Sequence, residues 1–334
     1  MSDRKEEHID LALKSQTDKI PVDERFIYEP LIHKHPDKSP APFRFLGKKM
    51  TAPIWISSMT GGTPKAEAIN HNLARACHEF GMGMGLGSCR SLLESNQFIE
   101  QFALRKIIGD DSPFFANLGI AQVEKLVKEN QFGKISELID KLEVDGLIIH
   151  VNPLQEWIQP EGDKLYFAPV DTIQRVLDKL DIKIIVKEVG QGFGPESLER
   201  LLSLPLAAID FGAYGGTNFA IVELLRGDEP KKDALKPLAS IGHTAVQMVE
   251  TANRIKALGT NLLCDELIIS GGIKSFLDGF YLMKKSKFNT IYGQGSAMLK
   301  QAKMGYEPLR SFISHQITGL QIAESYLKIR EINK

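Results

Sequence analysis

Between residues 150 and 163 the chain reads His-Val-Asn-Pro-Leu-Gln-Glu-Trp-Ile-Gln-Pro-Glu-Gly-Asp. An apolar run, Gly146-Leu147-Ile148-Ile149, opens there into a dense polar set containing His150, Asn152, Gln155 and Glu156. In a barrel of parallel strands, the carboxyl ends of the strands and the loops after them build the active site. Glu156 is a titratable carboxylate, whereas Gln155 beside it orients a ligand but exchanges no proton near neutral pH. Lys187 breaks a second apolar run, Ile184-Ile185-Val186. A lysine in such a strand is costly to bury without a partner. Its neighbour Glu188 is not expected to pair with it directly, because successive strand residues point to opposite faces. A lysine near a barrel mouth that meets an anionic ligand is the better account. Asn117 and Ser88 close two further runs, with capping or turn roles as the plain alternative.

These groups need a scaffold, and the apolar pattern supplies one. Apolar runs of strand length occur at 53–59, 81–86, 114–118, 146–151, 182–189, 207–211, 266–270 and 289–292. Helix-period stretches lie between them, such as Ile173, Val176, Leu177 and Leu180, or Met248, Ala252 and Ile255. Runs without polar alternation imply burial on both faces, as in a parallel sheet. Eight strand–helix units over roughly 250 residues suit a (β/α)8 TIM barrel. A doubly wound open sheet is the competing architecture, and the lack of an early GxGxxG weighs against it. The expected organisation is an N-terminal segment over residues 1–50 that packs across the active site, followed by a single barrel domain over 51–334.

The bulk properties exclude several classes of function. The 334 residues are 43% hydrophobic and 25% charged, as in an ordinary globular protein. A net charge of -1 gives no reason to expect nucleic acid or an acidic membrane surface. Cys77, Cys89 and Cys264 show no metal or CxxC spacing, which fits a reducing, cytoplasmic setting. The charged N-terminus lacks a signal-peptide core, and no apolar run reaches membrane-spanning length. His33 and His35 lack a further cluster and read as a surface loop.

Four strand ends are rich in glycine: Met59-Thr60-Gly61-Gly62-Thr63, Ala213-Tyr214-Gly215-Gly216-Thr217-Asn218, Ser270-Gly271-Gly272-Ile273 and Gly293-Gln294-Gly295-Ser296-Ala297. Any one of them alone reads as a tight turn. The pair after the seventh and eighth strands points to a phosphate-bearing cofactor or substrate, since that is where barrels often bind phosphate. No GxxxxGK[ST] occurs, which argues against a nucleoside triphosphate.

Taken together, HVNPLQEWIQPEGD, MTGGT, AYGGTNFA, VKEVG, SGGI and the N-terminal Arg4-Lys5-Glu6-Glu7-His8 resemble the type 2 isopentenyl diphosphate isomerases. The resemblance runs from Arg4 to about Ala302; the 150–163 block is its specific part, and the glycine loops are shared with other FMN barrels. It implies a (β/α)8 barrel that binds reduced FMN and Mg2+, with NADPH as reductant. Met59, Thr60, Gly61, Ser88, Asn117, Lys187, Thr217, Gly271, Gly272, Ser296 and Ala297 match that family's FMN contacts. Arg4, Lys5, His8, Arg90, His150, Asn152 and Gln155 match its substrate contacts, and Glu156 matches its magnesium ligand. Cys89 within Ser88-Cys89-Arg90 departs from the family pattern, and residues 16–50 match it only loosely.

The implied reaction is the reversible isomerisation of isopentenyl diphosphate to dimethylallyl diphosphate. Reduced FMN would act as acid and base, and Mg2+ would bind the diphosphate. Gln155 and Lys187 are then the expected catalytic side chains. The expected partner is a small isoprenoid diphosphate, with no nucleic acid and no membrane, in a homo-oligomer of four or eight subunits. An FMN-dependent 2-hydroxy acid oxidoreductase is an alternative, but it would want a His base and an Arg after the seventh strand, and Ser270-Gly271-Gly272-Ile273-Lys274 has neither. A non-catalytic flavin-binding barrel would leave Gln155 and Glu156 without a purpose.

Overall fold

Each of the eight apolar runs forms a parallel strand: β1 Ile54–Ile56, β2 Gly83–Gly85, β3 Phe114–Gly119, β4 Gly146–Val151, β5 Lys183–Glu188, β6 Ala208–Asp210, β7 Glu266–Ser270 and β8 Asn289–Gln294. They close into a barrel in the order β7-β8-β1-β2-β3-β4-β5-β6, with β6 pairing back to β7. This is the expected (β/α)8 architecture. The computed structural model describes residues 2–17, 20–36, 41–57, 61, 64–259 and 261–330.

The helices used below are α1 Ser2–Lys14, α2 Pro153–Ile158, α3 Pro169–Lys179, α4 Phe219–Arg226, α5 Ala245–Ala257, α6 Phe276–Lys285, α7 Ser296–Met304 and α8 Tyr306–Tyr326. The periodic residues behave as their spacing requires. Ile173 and Val176 of α3 are buried, as are Met248, Ala252 and Ile255 of α5. With helices on the outside and side chains filling the inside, β3 is buried at every position.

A hairpin closes one end of the barrel. Phe43–Phe45 and Lys48–Met50 pair antiparallel around Leu46 and Gly47, both at positive φ. Phe45, Leu46 and Met50 pack on Trp55, Phe115 and Ile268. Leu46 N–H donates to Glu266 at 2.6 Å, and Lys183 Nζ donates to the Leu46 carbonyl at 2.8 Å. Glu266 and Lys183 are the first residues of β7 and β5, so the hairpin sits under the barrel. Residues 43–50 therefore lie at the end opposite the strand carboxyl termini.

The segment between α1 and the hairpin meets the last described strand. Phe26–Tyr28 pairs antiparallel with Leu327–Ile329, beyond α8. Among the described residues, no helix is long and apolar enough to cross a membrane.

Candidate active site

At the carboxyl ends of β3 to β6, strand register builds a polar layer. Gly119 pairs with His150, His150 with Lys187, and Lys187 with Asp210. Asn117 Nδ2 donates to the Leu86 carbonyl at 3.0 Å, which turns its Oδ1 toward His150 Nδ1 at 2.9 Å. An amide oxygen only accepts, so Nδ1 carries the imidazole proton and Nε2 keeps a lone pair. Lost solvation, and then the Lys187 charge, hold the His150 pKa down at about 4. His150 is thus neutral at ordinary pH.

Lys187 is buried, and its ammonium donates to the Glu188 carbonyl oxygen rather than to the Glu188 carboxylate. That carboxylate accepts instead from the N–H groups of Gly190, Gln191 and Gly192. The opposite-face expectation for this pair is met. Asp210 is fully buried; burial pushes its carboxyl above the usual range, while the Lys187 charge and the Ser270 hydroxyl oppose that rise. Ser270 Oγ donates to Asp210 Oδ1 and accepts from Gly212 N–H at 2.9 Å.

Beside this layer lies a cavity of about 450 Å³, walled by Lys187, Thr217, Gly271, Gly272, Ser296 and Ala297 among others. Its size falls within the usual range for small-ligand sites. Gly271 has φ +84, and a Cβ there would run into the Ala213 carbonyl. Only glycine lets the β7 loop pass that close. Helix α7 starts at Gly295 with no side-chain cap, so its first N–H groups remain free for an anion. Ser57 Oγ and Gln294 Oε1, also at this cavity, are buried without a hydrogen-bond partner among the described residues. Uncapped amides, orphaned polar atoms and a glycine wall fit a flavin mononucleotide with its phosphate at the β7 and β8 loops.

The second half of the site grows from α2. Asn152 precedes the helix and donates from Nδ2 to Gln155 Oε1 and Glu156 Oε1, both at 3.0 Å. Glu156 Oε2 accepts from Asp163 N–H at 2.9 Å. Gln155 Nε2 donates to Glu223 Oε1 at 3.0 Å, and Arg226 holds the same oxygen at 3.0 Å. Glu223 comes from α4, whose cap Asn218 accepts from Ile221 N–H. Arg90 reaches Asp163 at 3.3 Å, which brings it to the edge of the same loop. Among the described residues, no group of three or more His, Cys, Asp or Glu could hold a metal by itself. A single carboxylate that shares a hard cation with phosphate oxygens is a usual way to bind Mg2+, and Glu156 fits that role.

The structure thus brings together Asn117, His150, Asn152, Gln155, Glu156, Lys187, Thr217, Gly271, Gly272, Ser296 and Ala297. Ser88 is exposed and accepts from Arg90 N–H, and Gly61 lies against Phe102 beside the Ser88 carbonyl. Met59 and Thr60 lie outside the described residues. Arg4, Lys5 and His8 stand on α1, which is exposed along its described length, so they are not among the groups gathered at the mouth. Cys89 is a buried packing residue whose thiol burial pushes up to about 12. His35 Nδ1 and the Tyr326 hydroxyl are hydrogen-bonded at 2.9 Å. Sequence reasoning missed Glu223, although it shares a buried helix face with Ala220 and Leu224. An acid on an apolar stripe was the available signal.

No family model matches the chain. Curated relatives do. It is 34% identical over 306 residues to the isopentenyl-diphosphate delta-isomerase of Rickettsia prowazekii (strain Madrid E), covering 90% of this chain and 86% of that one. It is 32% identical over 333 residues to the protein of the same name from Rickettsia typhi (strain ATCC VR-144 / Wilmington), covering 98% and 92%. Among solved structures it resembles a flavocytochrome b2 variant with pyruvate bound, with a TM-score of 0.61 at 12% identity over 90% of this chain and 71% of that one. A mandelate oxidase variant carrying an FMN adduct gives a TM-score of 0.56 at 14% identity over 92% and 89%. At such identities the structural likeness speaks for the barrel fold alone.

Proposed function

The chain belongs to the isopentenyl-diphosphate delta-isomerase family, and on that premise we propose that its barrel mouth interconverts isopentenyl and dimethylallyl diphosphate with reduced FMN and Mg2+ bound. One adjacency carries this reading. Phe219, the first residue of α4, lines the glycine-walled cavity with buried Lys187, and Glu223 one turn along the same helix holds Gln155 of the cluster that also contains Asn152 and Glu156.

The reaction protonates an unactivated alkene at its terminal carbon and removes a proton from the carbon beside the diphosphate ester. An acid and a base must sit by an apolar five-carbon chain with water excluded. Gln155 supplies neither. Bound in its reduced form, FMN supplies acid–base chemistry through N5 and the adjoining ring atoms, while the protein contributes binding and electrostatics. The backbone of Gly271, Gly272, Ser296 and Ala297 would hold the flavin phosphate. Gly61, Ser88, Asn117 and Thr217 would border the ring, and Met59 and Thr60 would join them on the family match alone. Lys187, buried at the cavity wall, would offset negative charge on the reduced ring. Gln155, steadied by Asn152 and Glu223, holds the five-carbon chain in place.

Glu156 would hold Mg2+, whose charge would offset that of the diphosphate. Arg90, His150 and Asn152 grip the diphosphate from the barrel, with the arginine fork suited to phosphate oxygens. Arg4, Lys5 and His8 join them when α1 folds over bound substrate; that covering role belongs to α1, since residues 43–50 lie under the barrel. NADPH is the proposed reductant. Three buried free thiols fit a reducing cytoplasm.

The test is an anaerobic incubation of the protein with FMN, NADPH, Mg2+ and isopentenyl diphosphate. Dimethylallyl diphosphate should accumulate with no stoichiometric loss of reductant. Absence of that product, with oxidation of a 2-hydroxy acid in its place, would overturn the reading.

A further inference from the structure

The glycine loop after β7 has a second face. One side walls the main cavity; the other borders a groove lined by Arg25, Tyr214, Gly271, Gly272, Lys274 and Asp278. Asp278, in the first turn of α6, holds the loop from behind. Its Oδ2 accepts from the backbone N–H groups of Lys274 and Ser275 at 3.0 and 2.9 Å. Its Oδ1 accepts from Arg25 Nη1 at 2.8 Å. Arg25 is itself fixed: Nε and Nη2 donate to Asp23 at 2.9 and 2.7 Å, and its guanidinium lies 5.3 and 5.4 Å from the ring centroids of Phe26 and Tyr281. The next residues, Phe26–Tyr28, are the strand that pairs with Leu327–Ile329.

We infer that Arg25 is a positioning residue for the phosphate cradle: through Asp278 it fixes the turn at residues 271–275, an inference that rests on the flavin reading above. The planar fork serves both acids from three separate nitrogens in fixed geometry, whereas a lysine has one. The contact also runs from the loop to the segment just after α1. Binding at one end and order at the other must therefore favour each other by the same factor.

The test compares FMN with riboflavin, which lacks the phosphate, on wild-type protein, Arg25→Gln, Asp278→Asn and the double variant. Asp278→Asn keeps an acceptor for the Lys274 and Ser275 amides but removes the charge, so it carries the test if Arg25→Gln does not fold. Either single variant should weaken FMN about three- to fivefold, with riboflavin affinity unchanged within about 1.5-fold, the scale of a partly exposed ion pair. The double variant should bind FMN no worse than the weaker single one. Without flavin, amide exchange at Lys274 and Ser275 should quicken in Arg25→Gln. Equal losses for FMN and riboflavin, additive losses in the double variant, or unchanged exchange would each overturn the inference. Wild-type protein that takes up no FMN at all is a separate result; it overturns the functional reading and this inference with it.

Discussion

Under the barrel, Leu46 gives its N–H to Glu266 and its carbonyl to Lys183, and Asn289 ties the Arg44 carbonyl to the Glu266 carboxylate. The side chains of Phe45, Met50, Phe115 and Ile185 fill the space between these bonds. At the mouth, Ser57, Asn152, Asp210 and Gln294 each keep a buried polar atom with no partner among the described residues, whereas the cluster under the barrel keeps one, Trp55 Nε1. Buried groups without partners cost stability, so a fold tolerates them where a ligand completes them. One end of the barrel holds the molecule together, and the other is held ready. The same eight strands serve both ends; the residues at their two termini make the difference.

Gln155→Leu tests the mouth most severely. It removes the donor to Glu223 and the acceptor for Asn152 while keeping an apolar shape. Turnover should fall by at least about a hundredfold, the scale of a misplaced substrate, with FMN still bound. Steady-state kinetics beside flavin absorbance would show it, and retained turnover would remove Gln155 from the mechanism. Phe45→Ala is the matching cut at the other end. Truncating this fully buried ring should cost about 3–5 kcal/mol of stability. Turnover per folded, flavin-loaded molecule should stay unchanged. A drop in turnover without a drop in melting temperature would dissolve the division between the two ends.

Intermediate effects come from the two ligand sites. Gly271→Ala forces a Cβ against the Ala213 carbonyl at φ +84, a strain of about 1–3 kcal/mol concentrated where the flavin phosphate is proposed to sit. Equilibrium dialysis should then show FMN uptake weakened more than stability. Glu156→Gln keeps one of the two acceptors, for Asn152 or for Asp163, and discards the charge. The Mg2+ concentration needed for half-maximal activity should rise while flavin affinity holds. An unchanged metal titration would reject Glu156 as the ligand.

The two ends were not equally legible in the sequence. The mouth could be read because its residues break a pattern: polar side chains crowd the end of an apolar strand at His150 and Asn152, Lys187 interrupts another, and glycines follow β7 and β8. The strands themselves could be read because a sheet buried on both faces leaves unbroken apolar runs. The hairpin at 43–50 could not. Phe43, Phe45 and Met50 are scattered among charged residues, and their burial depends on strands far along the chain. Glu223 was hidden for a related reason, since its partner Gln155 lies 68 positions away. Arg25 looked like one more charge in a loosely matching segment until α6 placed Asp278 opposite it.

His150 allows the smallest and most specific test, because it sits in the unfinished half yet is already satisfied on one side by Asn117. Its pKa stands at about 4 in the folded chain against an ordinary 6.5. Between those values the unfolded chain binds the proton that the folded chain refuses. Stability from this group is therefore complete above pH 6.5 and drains away as the pH falls toward 4. Denaturant unfolding of the ligand-free protein across that window should show a decline that His150→Gln flattens, after allowance for carboxylates that titrate at its lower end. A bound diphosphate would reverse the balance, since its negative charge favours the imidazolium and offsets the repulsion from Lys187. Proton uptake on binding a diphosphate near pH 6, measured by calorimetry in buffers of different ionisation enthalpy, should therefore appear in the wild type and be smaller in His150→Gln. Equal uptake in both would take His150 out of the diphosphate grip and leave it as a neutral strut for Asn117.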